Sequence, residues 1–185
     1  QPKQSVLQNM IQYLNEHPND SGIIYCLSRK GTEEMSNNLR ENGINSAFYH
    51  AGISSVERAK VQEDFLKDKT RVMVATIAFG MGIDKSNVRF VMHADLPKNI
   101  ESYYQETGRA GRDGLPSEAI LFYSYGDVIK LRNFAMVEGN EEQSDLMLQK
   151  LKQMSDFAEM QKCRRQYLME YFGEKHDGNC NFCDY

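Results

Sequence analysis

The chain has 185 residues, 41% of them hydrophobic and 26% charged, with 22 Lys and Arg against 26 Asp and Glu for a net charge of −4. That apolar share sustains a packed core and argues against disorder along the whole length, which suits one full domain and an appendage. The acidic balance excludes a broadly basic nucleic-acid-binding domain, so any grip on phosphate must be local, within the roughly 10 Å over which salt leaves a charge visible.

The chain opens Gln1-Pro2-Lys3-Gln4 without an initiator Met, which points to a piece of a longer protein. No signal-peptide pattern is seen in this stretch, and no apolar run approaches the ~20 residues of a membrane helix. Val6, Leu7, Met10, Ile11 and Leu14 recur at helical spacing. A turn over 17–22 leads into a short strand of buried type at 23–27. The polar opening Ser28-Arg29-Lys30-Gly31-Thr32 then starts a helix running to about Asn42, with Thr32 as N-cap and Gly43 as C-cap. Strands follow at 46–49, 71–75, 90–94 and 119–123. Helices stand between them, one from the N-cap Ser54 to Leu66 and one over 100–106. Strands alternating with helices predict an α/β fold, a mostly parallel sheet flanked by helices. After Tyr123 the pattern turns helical, over 126–137, 142–154 and 157–172, with breaks at Glu138-Gly139-Asn140 and around Ser155. The boundary is therefore set near 124, giving segments 1–124 and 125–185.

Ligands of an open parallel sheet gather outside the carboxyl ends of its strands. Polar residues stand at four of those ends: Ser28-Arg29-Lys30, His50, Thr76, and the run from Asp95 to Asn99. Hydroxyls, amides and helix N-termini suit a chain of phosphates; taken singly, each also reads as an ordinary loop or cap. In 75–84, Gly80 and Gly82 flank Met81 and permit close backbone approach, and Asp84 offers a carboxylate to a ribose or an arginine. Arg109 and Arg112, three apart, would face one side if helical. Planar, permanently charged guanidinium suits phosphate oxygens, although on charge alone both arginines read as surface ion pairs with Glu106 and Asp113. Cys180-x-x-Cys183 reads as metal before disulfide. Cys26, inside a strand, reads as a core thiol.

Together these residues resemble known helicase motifs: IV over 23–30, V over 75–84 and VI over 105–114. The run from Asp95 to Gly114 resembles the RecQ family of DNA helicases. Cys163-Arg164-Arg165, Tyr171-Phe172-Gly173-Glu174 and Cys180-x-x-Cys183 are similar to that family's zinc-binding module. The resemblance implies a second RecA-like motor lobe, 1–124, then a helical zinc-binding appendage, 125–185. It implies an intracellular ATP-dependent enzyme of recombination and repair that unwinds DNA 3′ to 5′. Arg112 would be its arginine finger, with Arg109 beside it at the nucleotide, Gln105 coupling nucleotide to DNA, and Gly82 and Asp84 near the lobe interface. Ser28, Arg29, Lys30, His50, Thr76 and Asn99 would line the single-strand track. Single-stranded DNA, duplex junctions and the family's first lobe are the implied partners.

No G-x-x-x-x-G-K-[ST] occurs, and His93-Ala94-Asp95 is not a Mg²⁺ motif. ATP and Mg²⁺ would be shared with a first lobe, and this chain alone is expected to be inactive. A non-catalytic DNA-binding or scaffold module built from such a lobe is the alternative. An RNA helicase is disfavoured by the Asp95–Gly114 run and the cysteine tail. For Zn²⁺ the family uses four cysteines. Cys163, Cys180 and Cys183 supply three, and the fourth would fall one residue past Tyr185. Zinc is thus expected to be absent, weak, or completed by His176, Asp184, water or a neighbouring chain.

Overall fold

The computed structural model describes residues 3–77, 84–136, 140–176, 178 and 180–184. Two compact units divide it: Gln1–Leu96 with Gln105–Ser124, and Pro97–Tyr104 with Tyr125–Tyr185. No described helix is long and apolar enough to cross a membrane.

The first unit is built on five strands, β1 (Ser21–Tyr25), β2 (Ser46–Tyr49), β3 (Val72–Ala75), β4 (Val88–His93) and β5 (Glu118–Leu121). Every neighbouring pair is parallel, in the order β2-β3-β1-β4-β5. Central strands of such sheets are covered on both faces, hence the unbroken burial of β1 and β3. On one face Ile24, Val72, Val74, Phe90 and Met92 pack with Val6, Met10 and Leu14 of α1 (Lys3–Glu16) and Leu39 of α2 (Arg29–Glu41). On the other, Ile23, Tyr25, Met73, Ala75, Val88 and Val91 pack with Phe65 of α3 (Ser55–Leu66). Val88 and Phe90 share parity yet face opposite sides, because the register slips by one residue between Ser21↔Val88 and Gly22↔Phe90, a bulge at Arg89.

Arg71 fastens the end of α1 to the sheet, donating from Nε to the Asp20 carbonyl at 2.9 Å and from one terminal nitrogen to those of Leu14 and His17 at 2.6 Å each. Ser54 caps α3 in a reciprocal box with Glu57, as the sequence indicates. The start of α2 differs from expectation. Ser28, not Thr32, is its N-cap, its hydroxyl accepting from the Gly31 N–H at 3.0 Å, while Thr32 is buried a turn inside and donates to the Arg29 carbonyl at 2.6 Å. Arg29 and Lys30 therefore lie in the first helical turn. At the other end Gly43 (φ +78°) allows the N–H groups of Gly43 and Ile44 to reach the carbonyls of Arg40 and Leu39 at 2.9 and 3.0 Å. Cys26 is a buried core thiol.

The second unit holds the N-terminal half of α4 (Ile100–Thr107), with α5 (Tyr125–Ala135), α6 (Glu141–Glu159) and α7 (Arg164–Tyr171). Leu131, Ala135, Leu151, Met154 and Phe157 are buried. Asn140 caps α6 by accepting from the Gln143 N–H at 3.0 Å. The break expected around Ser155 does not occur: Ser155 is buried within α6, and the chain leaves the helix at Met160, where ψ is 146°. Tyr103 packs on Phe157 and Tyr104 on Phe172, with ring centroids 5.2 and 4.6 Å apart. Glu101 accepts from Lys150 at 2.7 Å.

Candidate functional site

Parallel strands deliver their carboxyl ends to one edge, and the backbone ties those ends together. Cys26 N–H donates to Ala75, Thr76 to Tyr49 and Ala94 to Tyr25, at 2.9, 3.2 and 2.9 Å. Leu27 N–H donates to the Asp95 carboxylate at 2.8 Å. Ser28, Arg29, Lys30, His50 and Thr76 all stand along this edge. Asn99 belongs to the second unit, where its Oδ1 caps α4 by accepting from the Ser102 N–H at 2.8 Å.

Their exposure differs. Ser28, Arg29 and Lys30 face solvent, Lys30 in an ion pair with Glu34 at 3.5 Å, and Thr76 is half-buried. His50 is buried: its Nδ1 accepts from the Gly52 N–H at 3.1 Å, so Nε2–H donates to Glu33 at 2.8 Å, and the ring stacks on Phe48. Both ring nitrogens are thus committed inside the protein. Gly52 lies close under Arg29, whose Cδ would sit 3.3 Å from an added Cβ.

After α4, residues 108–113 form successive turns rather than helix, so Arg109 and Arg112 do not share a face. Arg109 is 8% exposed, and its Nε is buried without a hydrogen-bond partner among the described residues. Its guanidinium meets the hydroxyl of Tyr25; burial drives that phenol well above its ordinary range, opposed by Arg109 and reinforced by Glu106. Arg112 is exposed, with its Nη1 3.7 Å from Asp84, whose side chain is 93% exposed. Gln105 faces solvent. Gly82 lies outside the described residues, as does most of the 75–84 stretch.

Neither Glu106 nor Asp113 serves as the partner expected for these arginines. Glu106 accepts from His93 Nε2 at 2.7 Å in a buried pair. Asp113 takes Arg89 on both oxygens, at 2.5 and 2.6 Å, and this ion pair holds its carboxyl below the usual range. The Gly111 N–H donates to the Val88 carbonyl at 2.9 Å; with φ at +66° and Ser117 Oγ 2.6 Å from where a Cβ would stand, only glycine fits there. The arginine loop is therefore fastened to β4 at His93, Val88 and Arg89. Sequence reading overlooked Tyr25 and Arg89, and it set Glu106 against the arginines and did not pair it with His93. A histidine ending an apolar strand, and a glutamate three residues before an arginine, were the available signals.

In the second unit Cys163, Cys180 and Cys183 converge, all three sulfurs within 4.8 Å of one another, with 3.5 Å between Cys180 and Cys183 and 3.8 Å between Cys183 and Cys163. Four sulfurs at 2.3 Å from Zn²⁺ would be separated by about 3.8 Å, so the trio fits three corners of a tetrahedral zinc site. Bonds from the backbone N–H groups of Gln166 and then Cys180 pull the Cys163 thiol down to about 6, favouring the thiolate. Asp184 is engaged elsewhere: its oxygens pair with Arg164 Nε and Nη2 at 2.6 and 3.1 Å, while Arg164 Nη1 donates to the Phe157 carbonyl at 2.7 Å. Among the described residues, His176 does not join the cluster.

Residues 3–114 match the helicase conserved C-terminal domain family, and residues 125–185 match the RecQ zinc-binding family. The chain is 48% identical to the ATP-dependent DNA helicase RecQ of Haemophilus influenzae over 98% of its own length and 29% of the relative's. It is 46% identical to the RecQ-like DNA helicase BLM of Xenopus laevis over 98% of its length and 14% of the relative's. It thus spans under a third of the curated relatives it matches. The fold is shared with the E. coli DEAD-box protein SrmB, at TM-score 0.64 and 23% identity over 72% of this chain and 81% of that one. It is also shared with S. cerevisiae Dbp5 bound to RNA and ADP BeF3, at TM-score 0.62 and 20% identity over 82% and 42%. The five-stranded parallel lobe is accordingly the RecA-like C-terminal lobe of a helicase, and the chain belongs to the RecQ family.

Proposed function

We propose that this chain supplies the arginine-bearing half of an ATP-driven motor that unwinds DNA 3′ to 5′ in recombination and repair inside the cell. The observation that carries this reading is the arginine loop. Arg109 keeps a buried Nε with no partner among the described residues, and Arg112 stands exposed beside it on a loop fastened to β4. A buried guanidinium donor without an acceptor costs free energy unless an anion meets it. The ATP, with Mg²⁺, would be held by a first lobe carrying the phosphate-binding loop absent from this sequence. Arg112 would reach the γ-phosphoryl as the arginine finger, Arg109 would steady it, and Gln105, Gly82 and Asp84 would lie near the nucleotide. Ser28, Arg29, Lys30, Thr76 and Asn99 would grip single-stranded DNA at junctions through its phosphates. His50, with both nitrogens used, would shape that track rather than touch it. Residues 1–124 would form the lobe and 125–185 the zinc-bearing appendage, with Zn²⁺ held by Cys163, Cys180 and Cys183 and one further ligand.

The test joins this chain behind the N-terminal part of the Haemophilus influenzae relative. The chain alone is expected to hydrolyse no ATP, and the fusion protein to show DNA-stimulated hydrolysis. Arg112→Ala in the fusion should lower kcat by roughly 10³–10⁵, the scale of an arginine finger. Hydrolysis by the chain alone, or an unchanged kcat in the Arg112→Ala fusion, overturns the reading. A fusion that binds DNA but never hydrolyses ATP supports a scaffold instead.

A further inference from the structure

We infer that His93 and Glu106 are positioning residues for Arg109, and so for the proposed hydrolysis; the inference rests on the reading that Arg109 faces the nucleotide. Two arms reach Arg109, and both start from the single side chain of His93. One arm runs through Glu106. His93 Nε2 holds the Glu106 carboxylate at 2.7 Å, and the Arg109 N–H hangs from the Glu106 carbonyl at 3.3 Å. The other arm runs through Tyr25. Tyr25 and His93 are register partners on β1 and β4, their rings stack with centroids 5.4 Å apart and planes 21° from parallel, and the Tyr25 hydroxyl meets the Arg109 guanidinium. One arm sets the backbone of Arg109 and the other its charged end. His93 is 1% exposed and its own backbone lies in the ladder to β5, opposite Leu121, so the origin of both arms is rigid.

The chemistry at each contact matches a positioning role. Glu106 presents an acceptor to a ring nitrogen, a contact that a neutral amide can also make. The ring stack needs an aromatic at 93 but no charge. The other fastenings of the loop, Gly111 to Val88 and Asp113 to Arg89, lie beyond Arg109 in the chain. Among the described residues, the His93–Glu106 pair ties the loop to β4 on the α4 side. Releasing it leaves Arg109 held by Tyr25 and by the fastenings that follow it, and a displacement of about 1 Å can cost up to 10²-fold in rate.

The experiment uses the fusion protein described above with three variants, Glu106→Ala, Glu106→Gln and His93→Phe, and with Arg112→Ala as the reference. His93→Phe keeps the stack on Tyr25 and most of the buried volume but loses the bond to Glu106. Glu106→Ala and His93→Phe should each lower kcat about tenfold while KM for ATP stays within about twofold, and Glu106→Gln should stay within about twofold of the parent kcat. If Glu106→Ala fails to fold, His93→Phe and Glu106→Gln carry the comparison. A kcat within twofold of parent in the folded disrupting variants, accompanied only by a lower Tm, reduces the pair to a core contact and overturns the inference. So does a loss in Glu106→Gln as deep as in the disrupting variants, because charge would then be acting in place of geometry. An Arg112→Ala fusion that keeps the parent kcat removes the underlying reading instead.

Discussion

Gly22 shows how narrowly single positions are set. A Cβ there would stand 2.3 Å from the ring of Phe90, a fully buried side chain in the next strand. Gly22→Ala must push that ring into neighbours already in contact, and overpacking of this kind costs about 1–3 kcal/mol. Denaturant titration should show the loss, and Gly22→Ala combined with Phe90→Leu should recover part of it. An unchanged midpoint in the single variant would contradict the packing described. Legibility at this scale followed the range of the interaction. Cys26 in its strand and Ser54 before its helix could be read because neighbours in sequence decide them. The Tyr25–His93 stack and the His93–Glu106 bond could not, since they depend on strand register and on where α4 ends. Arg109 and Arg112 were read together for their charge; the turns that bury one and expose the other are set by bonds to β4.

Among the elements, α2 shows what capping rules miss. The sequence reads Thr32 as the N-cap, whereas the helix starts one turn earlier, at Ser28, whose side chain caps it. Burial decides this: Thr32 packs inside, and its hydroxyl is satisfied by the Arg29 carbonyl. The sheet was more legible, its five strands placed to within about two residues because apolar runs bounded by turn residues suffice. For α6 and the arginine loop, local preference yielded to tertiary contact. The fastening of that loop to β4 should depend on pH. Asp113 is held below its ordinary value of 3.8 by Arg89, as Asp68 is by Lys85. A carboxylate depressed in the folded state stabilises fully above its unfolded pKa, and that stabilisation is lost as pH falls through the folded value. Tm should therefore stay level from neutrality down to about pH 4 and fall below it. Asp113→Asn should lower Tm at pH 7 and make the acid fall shallower. An equally steep fall in that variant would show that the pair does not set the acid response.

At the scale of the whole molecule, each unit carries its own means of stability. The first has two apolar layers on a five-stranded sheet. The second has helices that include α7, with no buried residue, and a tail whose described residues over 172–176, 178 and 180–184 lie outside any helix or strand. Such a tail buries too little to order itself, so its order must come from cross-links. Two are present. The Arg164–Asp184 ion pair joins the residues that follow Cys163 and Cys183, and the three thiols stand at the spacing of a zinc tetrahedron. Complete zinc sites bind with about 10–16 kcal/mol in small peptides, energy that appears directly as folding. A site with three cysteines falls below that ceiling but still exceeds what an exposed ion pair supplies, about 1 kcal/mol or less. Zinc-loaded protein should therefore contain one metal per chain. Removing it with a chelator at neutral pH should raise amide hydrogen exchange over 160–184 while β1, β3 and β4 remain protected. Arg164→Ala should speed zinc loss to the chelator without shifting exchange in the sheet. If chelation instead exposed the strands together with the tail, the metal would be supporting the lobe as well, and the units would not be independently stable. If the loaded protein retained no zinc while the tail stayed protected, the ion pair would be its principal tie.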